Sequence, residues 1–230
     1  MKISYLVTCS TETDTLKRLL RRIFDHKGED QIVIVRDSGT SNKETIDIVS
    51  NFATRDPGIC VYDHPLNADY GCHKNWGTKQ CYGDYIFQID GDELPSENIL
   101  GNNLKEIIGL NPEVELIFVP RINDYRGVKE EHARQWGWKL TNSKQSGVAQ
   151  GRPLVNWCDY QGRIYKNVPD RIKWDRKLHE KIQGHNQYSF LPAEEEYAIY
   201  HDKTIEKQLE TNIRYNKVFT VEDNMGHKVV

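Results

Sequence analysis

The chain has 230 residues, 37% hydrophobic and 28% charged, with a formal net charge of −3 at pH 7, enough for one α/β domain with a sizeable core and short for two independent ones. The aromatic content excludes a disordered chain, and the charge excludes a polycation. An odd five cysteines without a C-x-x-C pair argue against a disulfide framework or zinc ribbon, and no apolar run reaches transmembrane length, so the expectation is a cytoplasmic protein with no stable membrane anchor.

Ile3–Thr8 reads as a buried strand. Ser10-Thr11-Glu12-Thr13 then offers caps for a helix with Leu16, Leu19, Leu20 and Ile23 at helical spacing. Gln31–Val35 is a second, β-branched strand ending at Arg36-Asp37-Ser38-Gly39. A helix over Lys43–Phe52 and a strand over Ile59–Tyr62 follow, then a helix over 73–82 and a strand over Asp84–Ile89. Such alternation predicts βαβ units and a parallel sheet, whose ligands lie beyond the carboxyl ends of the strands. The loops after Thr8, Val35 and Ile89 are therefore expected to converge on one crevice.

Further on, Ile99–Leu110 reads as a helix and Val114–Val119 as a strand. Residues 123–155 read as a loop or flap over the site, Trp157–Lys166 and Ile172–Ile182 as short strand-like stretches, and Thr204–Tyr215 as a helix. The expected organisation is one domain, 1–230, with a nucleotide half at 1–95 and an acceptor half at 96–230. A mildly basic block over 151–185 lies between two acidic ones, which suits a phosphate-bearing ligand.

The most informative stretch is Tyr85-Ile86-Phe87-Gln88-Ile89-Asp90-Gly91-Asp92-Glu93, where an apolar run delivers three carboxylates to a strand end. Carboxylates gathered so closely need a cation or an acid proton. Mg²⁺ and Mn²⁺ take oxygen ligands, commonly one or two carboxylates plus substrate phosphates. Asp90 and Asp92, two apart in an extended segment, are expected on one side, with Gly91 leaving room for a ligand. Asp37 is placed to accept from a base or ribose, or equally to close an Asx-type turn.

In order, Thr8-Cys9-Ser10-Thr11-Glu12, Asp37-Ser38-Gly39-Thr40, Asn67, Lys74-Asn75 and Ile89-Asp90-Gly91-Asp92-Glu93 resemble family-2 glycosyltransferases of the GT-A fold. Gly137-Trp138, Asp159 to Asn167, Trp174, Leu178-His179-Glu180-Lys181 and Ile199-Tyr200-His201 resemble its lipopolysaccharide-core glucosyltransferase branch and similar small tailed-phage enzymes. The resemblance implies an α/β, Rossmann-like, mostly parallel sheet flanked by helices, with a C-terminal acceptor-side extension. It implies that Thr8, Ser10 and Glu12 line the nucleotide pocket and that Asp37 reads the base, commonly uracil. Asn67, Lys74 and Asn75 lie near ribose and diphosphate, and Arg163 compensates diphosphate charge. Asp90 approaches ribose or metal, Asp92 binds a divalent cation (Mn²⁺ or Mg²⁺), and His179 is a further candidate ligand. Where the family carries Asp-Asp-Gly-Ser, this chain has Arg36-Asp37-Ser38-Gly39, one acid fewer.

The reaction so implied moves a sugar from a nucleoside-diphosphate sugar, with a UDP-sugar favoured and inversion at C1. The acceptor hydroxyl loses a proton as it attacks, with Glu180 the first candidate base and His179 its partner. Either His179 or Glu180 could instead be an ordinary surface residue. Trp136, Trp138, Trp157 and Trp174 are candidates for a sugar-stacking wall or for plain packing. The acceptor is either a glycan of lipopolysaccharide type or a hydroxymethylated base in phage DNA, the latter suggested by the basic stretch 171–177. A non-catalytic nucleotide-sugar-binding module of the same fold is the alternative.

Overall fold

A computed structural model describes residues 1–141 and 153–224. The first half is built as expected. Strands β1 (Ile3–Cys9), β2 (Gln31–Asp37), β3 (Ile59–His64) and β4 (Tyr85–Asp90) alternate with helices α1 (Asp14–His26), α2 (Lys43–Ala53) and α3 (Tyr70–Thr78). Their mutual pairings are parallel, in the spatial order β3-β2-β1-β4. Thr8 pairs with both Val35 and Asp90, so the three strands end at one level.

The alternation of side chains explains the layers. Ile3, Tyr5 and Val7 point to one face of β1 and pack with Leu16, Leu19, Leu20 and Ile23 of α1. Leu6 points to the other face, with Val33, Val35 and Ile86, against Tyr165, Trp174 and Ile182. The sheet is thus buried on both faces, as parallel sheets require.

The second half adds β5 (Glu93–Pro95), α4 (Gly101–Gly109), β6 (Leu116–Arg126), α5 (Glu130–Trp136), β7 (Leu140–Thr141), β8 (Leu154–Lys166), β9 (Lys173–Asp175), β10 (Lys181–Gln183), β11 (Tyr188–Phe190), β12 (Ile199–Thr204) and α6 (Ile205–Val218). Among the described residues the sheet has ten strands, continuing from β4 as β8-β6-β12-β5, with β11 on β6 and β7 on β8. β8 runs antiparallel to both β4 and β6, so this half of the sheet is mixed. β9 and β10 form a separate hairpin.

Several expectations are corrected. The segment expected as a flap begins inside β6 and includes α5, β7 and the first residues of β8; its positions 142–152 lie outside the described residues. Tyr125 stacks edge-on against Trp138, and Trp138 against Trp136, so apolar packing gives the segment regular structure. The helix expected over 73–82 is α3, three residues earlier, because the Asp69 side chain caps it by accepting from the Cys72 N–H. Thr13 makes no side-chain cap on α1; Glu12 turns back to accept from the Ser10 N–H at 2.7 Å.

Candidate active site

The carboxyl ends of β1, β2 and β4 open into a pocket whose other walls come from the loop after β3, the loop before β10, β12 and α6. Thr8, Ser10, Glu12, Asp37, Asn67, Lys74, Asp90, Asp92, Arg163, His179 and Glu180 all line it. Eleven of the twelve expected site residues are therefore brought together. Asn75 is the exception: its amide donates to the Trp174 carbonyl at 2.7 Å and accepts from the Trp174 N–H at 2.8 Å, so it anchors the β9 hairpin to α3.

At the floor lies a network of buried charge. Lys74, only 2% exposed, reaches Asp90 Oδ1 at 3.1 Å and Glu180 Oε1 at 2.5 Å. Its ammonium also sits over the Trp174 ring, 4.7 Å from the centroid. Burial alone would depress this ammonium, but Asp90 and Glu180 overcome it and hold it above its ordinary value. Arg163 donates to Asp90 at 2.8 Å, to Glu93 at 2.5 Å and to Gln88. Arg121 bridges Glu93 at 3.2 Å and Asp159 at 2.7 Å. Asp159 is thus the partner of Arg121.

Asp90 is spoken for. Its Oδ1 accepts from Thr8 and Gln88 at 2.9 and 2.8 Å, and its Oδ2 from Arg163. Burial opposes its charge, yet Arg163 and Lys74 hold the carboxyl well below the usual range. Gly91 lines the pocket, and a Cβ there would stand 3.1 Å from the Cys9 Cβ and 3.3 Å from both Glu12 Oε2 and the Thr8 carbonyl, so the glycine keeps this edge closely packed.

Asp92 is different. Its side chain is 26% exposed, and its Oδ2 lies 3.3 Å from His201 Nε2. Burial opposes its charge, but the imidazole more than compensates and its pKa falls below the ordinary value. His201 reaches this position because β12 pairs antiparallel with β5, setting His201 opposite Glu93, while Asn123 meets the other ring nitrogen at 3.0 Å. In the sequence His201 stands out only as part of Ile199-Tyr200-His201, one of the motifs that carry the family resemblance. His179 Nε2 is bonded to Asn224 at 2.9 Å, and its backbone is left-handed at φ 53°, a costly conformation for a side chain, next to Glu180.

Among the described residues no three His, Cys, Asp or Glu side chains form a ready-made metal cage. The partly exposed Asp92 carboxylate with His201 beside it still fits an Mg²⁺ or Mn²⁺ ion, because such ions bind through one or two carboxylates and fill their remaining positions with water and phosphate oxygens.

At the end of β2, Asp37 is 4% exposed and accepts from the Gly39 and Leu66 N–H groups, each at 3.0 Å, and from the Thr40 hydroxyl at 2.5 Å. Its carboxylate makes the Asx turn and clasps the loop after β3. Arg36 pairs with Asp63, at 2.6 Å. Of the four tryptophans that were candidates for a sugar-stacking wall, Trp174 lines the pocket, its Nε1 donating to the Tyr165 hydroxyl at 3.2 Å. Trp136 and Trp138 pack on each other, and Trp157 against Ile122, Leu154 and Ala198. In the basic stretch, Arg171 is paired with Glu115 at 2.5 Å and Lys177 with Asp223 at 3.8 Å. No helix among the described residues is long and apolar enough to cross a membrane.

Residues 4–171 match the family model of glycosyl transferase family 2. No curated protein matches the chain. Among solved structures, it is similar to residues 1–349 of S. aureus TarS in complex with UDP-GlcNAc, at 18% identity and a TM-score of 0.60, over 95% of this chain and 64% of that one. It is also similar to the mannosyltransferase PcManGT from Pyrobaculum calidifontis in complex with GDP-Man and Mn²⁺, at 12% identity and a TM-score of 0.57, over 94% and 61%. The chain therefore spans less than two thirds of either, and at these identities the likeness is one of fold.

Proposed function

Since the chain belongs to glycosyl transferase family 2, we propose that it transfers a sugar from a nucleoside-diphosphate sugar, a UDP-sugar by preference, to a hydroxyl acceptor. The observation that carries this reading is the gathering of Asp92 with His201 and of Lys74 with Glu180 in one pocket at the carboxyl ends of β1, β2 and β4. TarS is solved with UDP-GlcNAc and PcManGT with GDP-Man and Mn²⁺, which supports a nucleotide-sugar donor here.

Thr8, Ser10, Glu12, Asn67 and the loop held by Asp37 bind the nucleoside, with Asp37 acting through that loop as much as on the base. Asp92, with His201 behind it, holds a divalent cation, which when bound supplies Lewis-acid stabilisation of the charge on the leaving diphosphate. Glu180 accepts the proton of the acceptor hydroxyl as its oxygen bonds to C1 and the bond from C1 to the diphosphate oxygen breaks. Lys74 aims the Glu180 carboxylate and offsets its charge, and Arg163 and Arg121 keep Asp90 and Glu93 in place beneath the reacting groups.

Incubation with radiolabelled UDP-sugars, GDP-mannose and Mn²⁺ tests the reading. Slow release of free sugar and nucleoside diphosphate, the side reaction of an activated donor with water, is expected from wild type and not from Glu180→Gln. Donor binding without any turnover, whatever the acceptor and sugar supplied, would favour a binding module instead.

A further inference from the structure

Glu180 sits in a loop that needs holding. Between β9 and β10, Arg176 and His179 both have left-handed backbones, at φ 73° and 53°. Such conformations are costly for residues that carry side chains, and they persist where the surrounding structure enforces them. On one side α3 does so. The Lys177 carbonyl accepts from the Tyr70 N–H at 2.9 Å, and the absence of a side chain on Gly71 lets the Arg176 carbonyl come close.

On the other side stand the residues that follow α6. They close on themselves: Asp223 Oδ2 accepts from the Thr220 N–H at 3.2 Å, the Thr220 hydroxyl accepts from the Asp223 N–H at 3.0 Å, and the Asn224 N–H donates to the Thr220 carbonyl at 3.1 Å. This turn presents Asn224 to the loop. Thr220, Val221 and Glu222 are exposed, yet Asn224 is 4% exposed, with its Oδ1 2.9 Å from His179 Nε2. An amide oxygen only accepts, so the His179 ring donates. Phe219, which opens the segment, stacks on Tyr70 with centroids 6.2 Å apart and 26° between the planes, and stands edge-on to Tyr215 at 5.5 Å. The pair of Asp223 with Lys177, at 3.8 Å and largely in solvent, adds little. We infer that Asn224 is a positioning residue: through His179 it fixes the loop, so that the Glu180 carboxylate stays on Lys74 and faces the pocket. Asp92 is held from β12 through His201 instead, so Asn224 governs turnover and not the binding of the donor. The consequence for turnover rests on the glycosyltransferase reading; the holding of the loop does not.

The test compares the whole wild-type chain with Asn224→Leu, which keeps the size of the side chain and removes its oxygen, and with Asn224→Asp, which keeps an acceptor oxygen. Thermal melting first shows all three folded. Amide exchange by NMR then follows the Tyr70 N–H, whose bond to the Lys177 carbonyl reports the loop docked on α3, with the Leu6 N–H in the core of the sheet as reference. In Asn224→Leu the Tyr70 amide should exchange at least about tenfold faster with Leu6 unchanged. Release of sugar from the donor with Mn²⁺ should fall at least about tenfold, as displacement of a reacting group predicts, while the Kd for UDP changes less than about threefold. Asn224→Asp should restore most of both. The inference is overturned if Tyr70 exchanges in Asn224→Leu as in wild type, if it exchanges faster with turnover unchanged, or if UDP affinity falls as far as turnover. It is equally overturned if Asn224→Asp is as impaired as Asn224→Leu, since the oxygen then holds nothing. If wild type turns over no donor at all, the glycosyltransferase reading fails and the consequence for turnover with it, while the Tyr70 exchange still decides whether Asn224 holds the loop.

Discussion

The Nζ of Lys74, on the helix after β3, lies 2.5 Å from Oε1 of Glu180, a residue 106 positions away in the turn before β10. This contact sets the proposed base against the floor of the proposed nucleotide pocket. Replacing Glu180 by Gln keeps the shape and removes the proton acceptor. Turnover of an accepted sugar pair should fall by roughly 10²- to 10⁴-fold, with the Kd for UDP changed less than threefold. An equal loss in UDP affinity would mean that Glu180 holds donor rather than moves a proton.

Lys74→Met leaves Asp90 and Glu180 facing each other without their shared ammonium. Removing one partner of a buried pair costs about 3–5 kcal/mol, so the denaturation midpoint in urea should drop sharply. Adding Glu180→Gln to Lys74→Met should recover part of that loss, because it removes one stranded charge; strict additivity would contradict the coupling.

With UDP present, Mn²⁺ at a hundred times its Kd should raise the melting temperature of wild type by roughly 5–10 °C. In Asp92→Asn that increment should vanish, whereas His201→Ala should keep a part of it. The same Mn²⁺ increment in Asp92→Asn as in wild type would move the cation elsewhere.

Gly71 lies where α3 meets the turn after β9, and a Cβ there would run into the Arg176 backbone carbonyl. Gly71→Ala should therefore destabilise by about 1–3 kcal/mol and push the loop holding Glu180 away from Lys74. Activity should fall more than stability alone explains, as measured at a temperature well below the melting transition.

Stability should fall in acid for a traceable reason. The hydrogen bonds from Arg171 and from the Asn186 N–H hold the Glu115 carboxyl down at about 2. A carboxylate depressed on folding stabilises above its unfolded pKa, about 4.3 for Glu, and that contribution is lost as the pH falls from there towards 2. Asp90 and Asp159, also depressed, act in the same direction. Glu115→Gln should flatten the melting-temperature profile between pH 5 and 3, approximate bounds set by these carboxylate values, and lower the plateau above it.

How much was legible follows from the range of each signal. The buried-strand run Ile3–Thr8, the helical spacing from Leu16 to Ile23 and the apolar run ending at Asp90 are all local, and local pattern is what a sequence displays openly. They determined the βαβ half, the level at which Thr8, Asp37 and Asp90 end, and the pocket that these strand ends form. The tertiary structure alone decided which side chains meet across it. That His201 rather than His179 stands at Asp92 depends on the antiparallel register of β12 on β5, and that Asn75 turns away from the pocket depends on the docking of β9 on α3. Asp37 closes a turn and Arg163 neutralises Asp90 and Glu93 for the same kind of reason. Such pairings join segments tens of residues apart, and their register is chosen by burying the whole sheet at once, a condition that no single stretch of sequence carries.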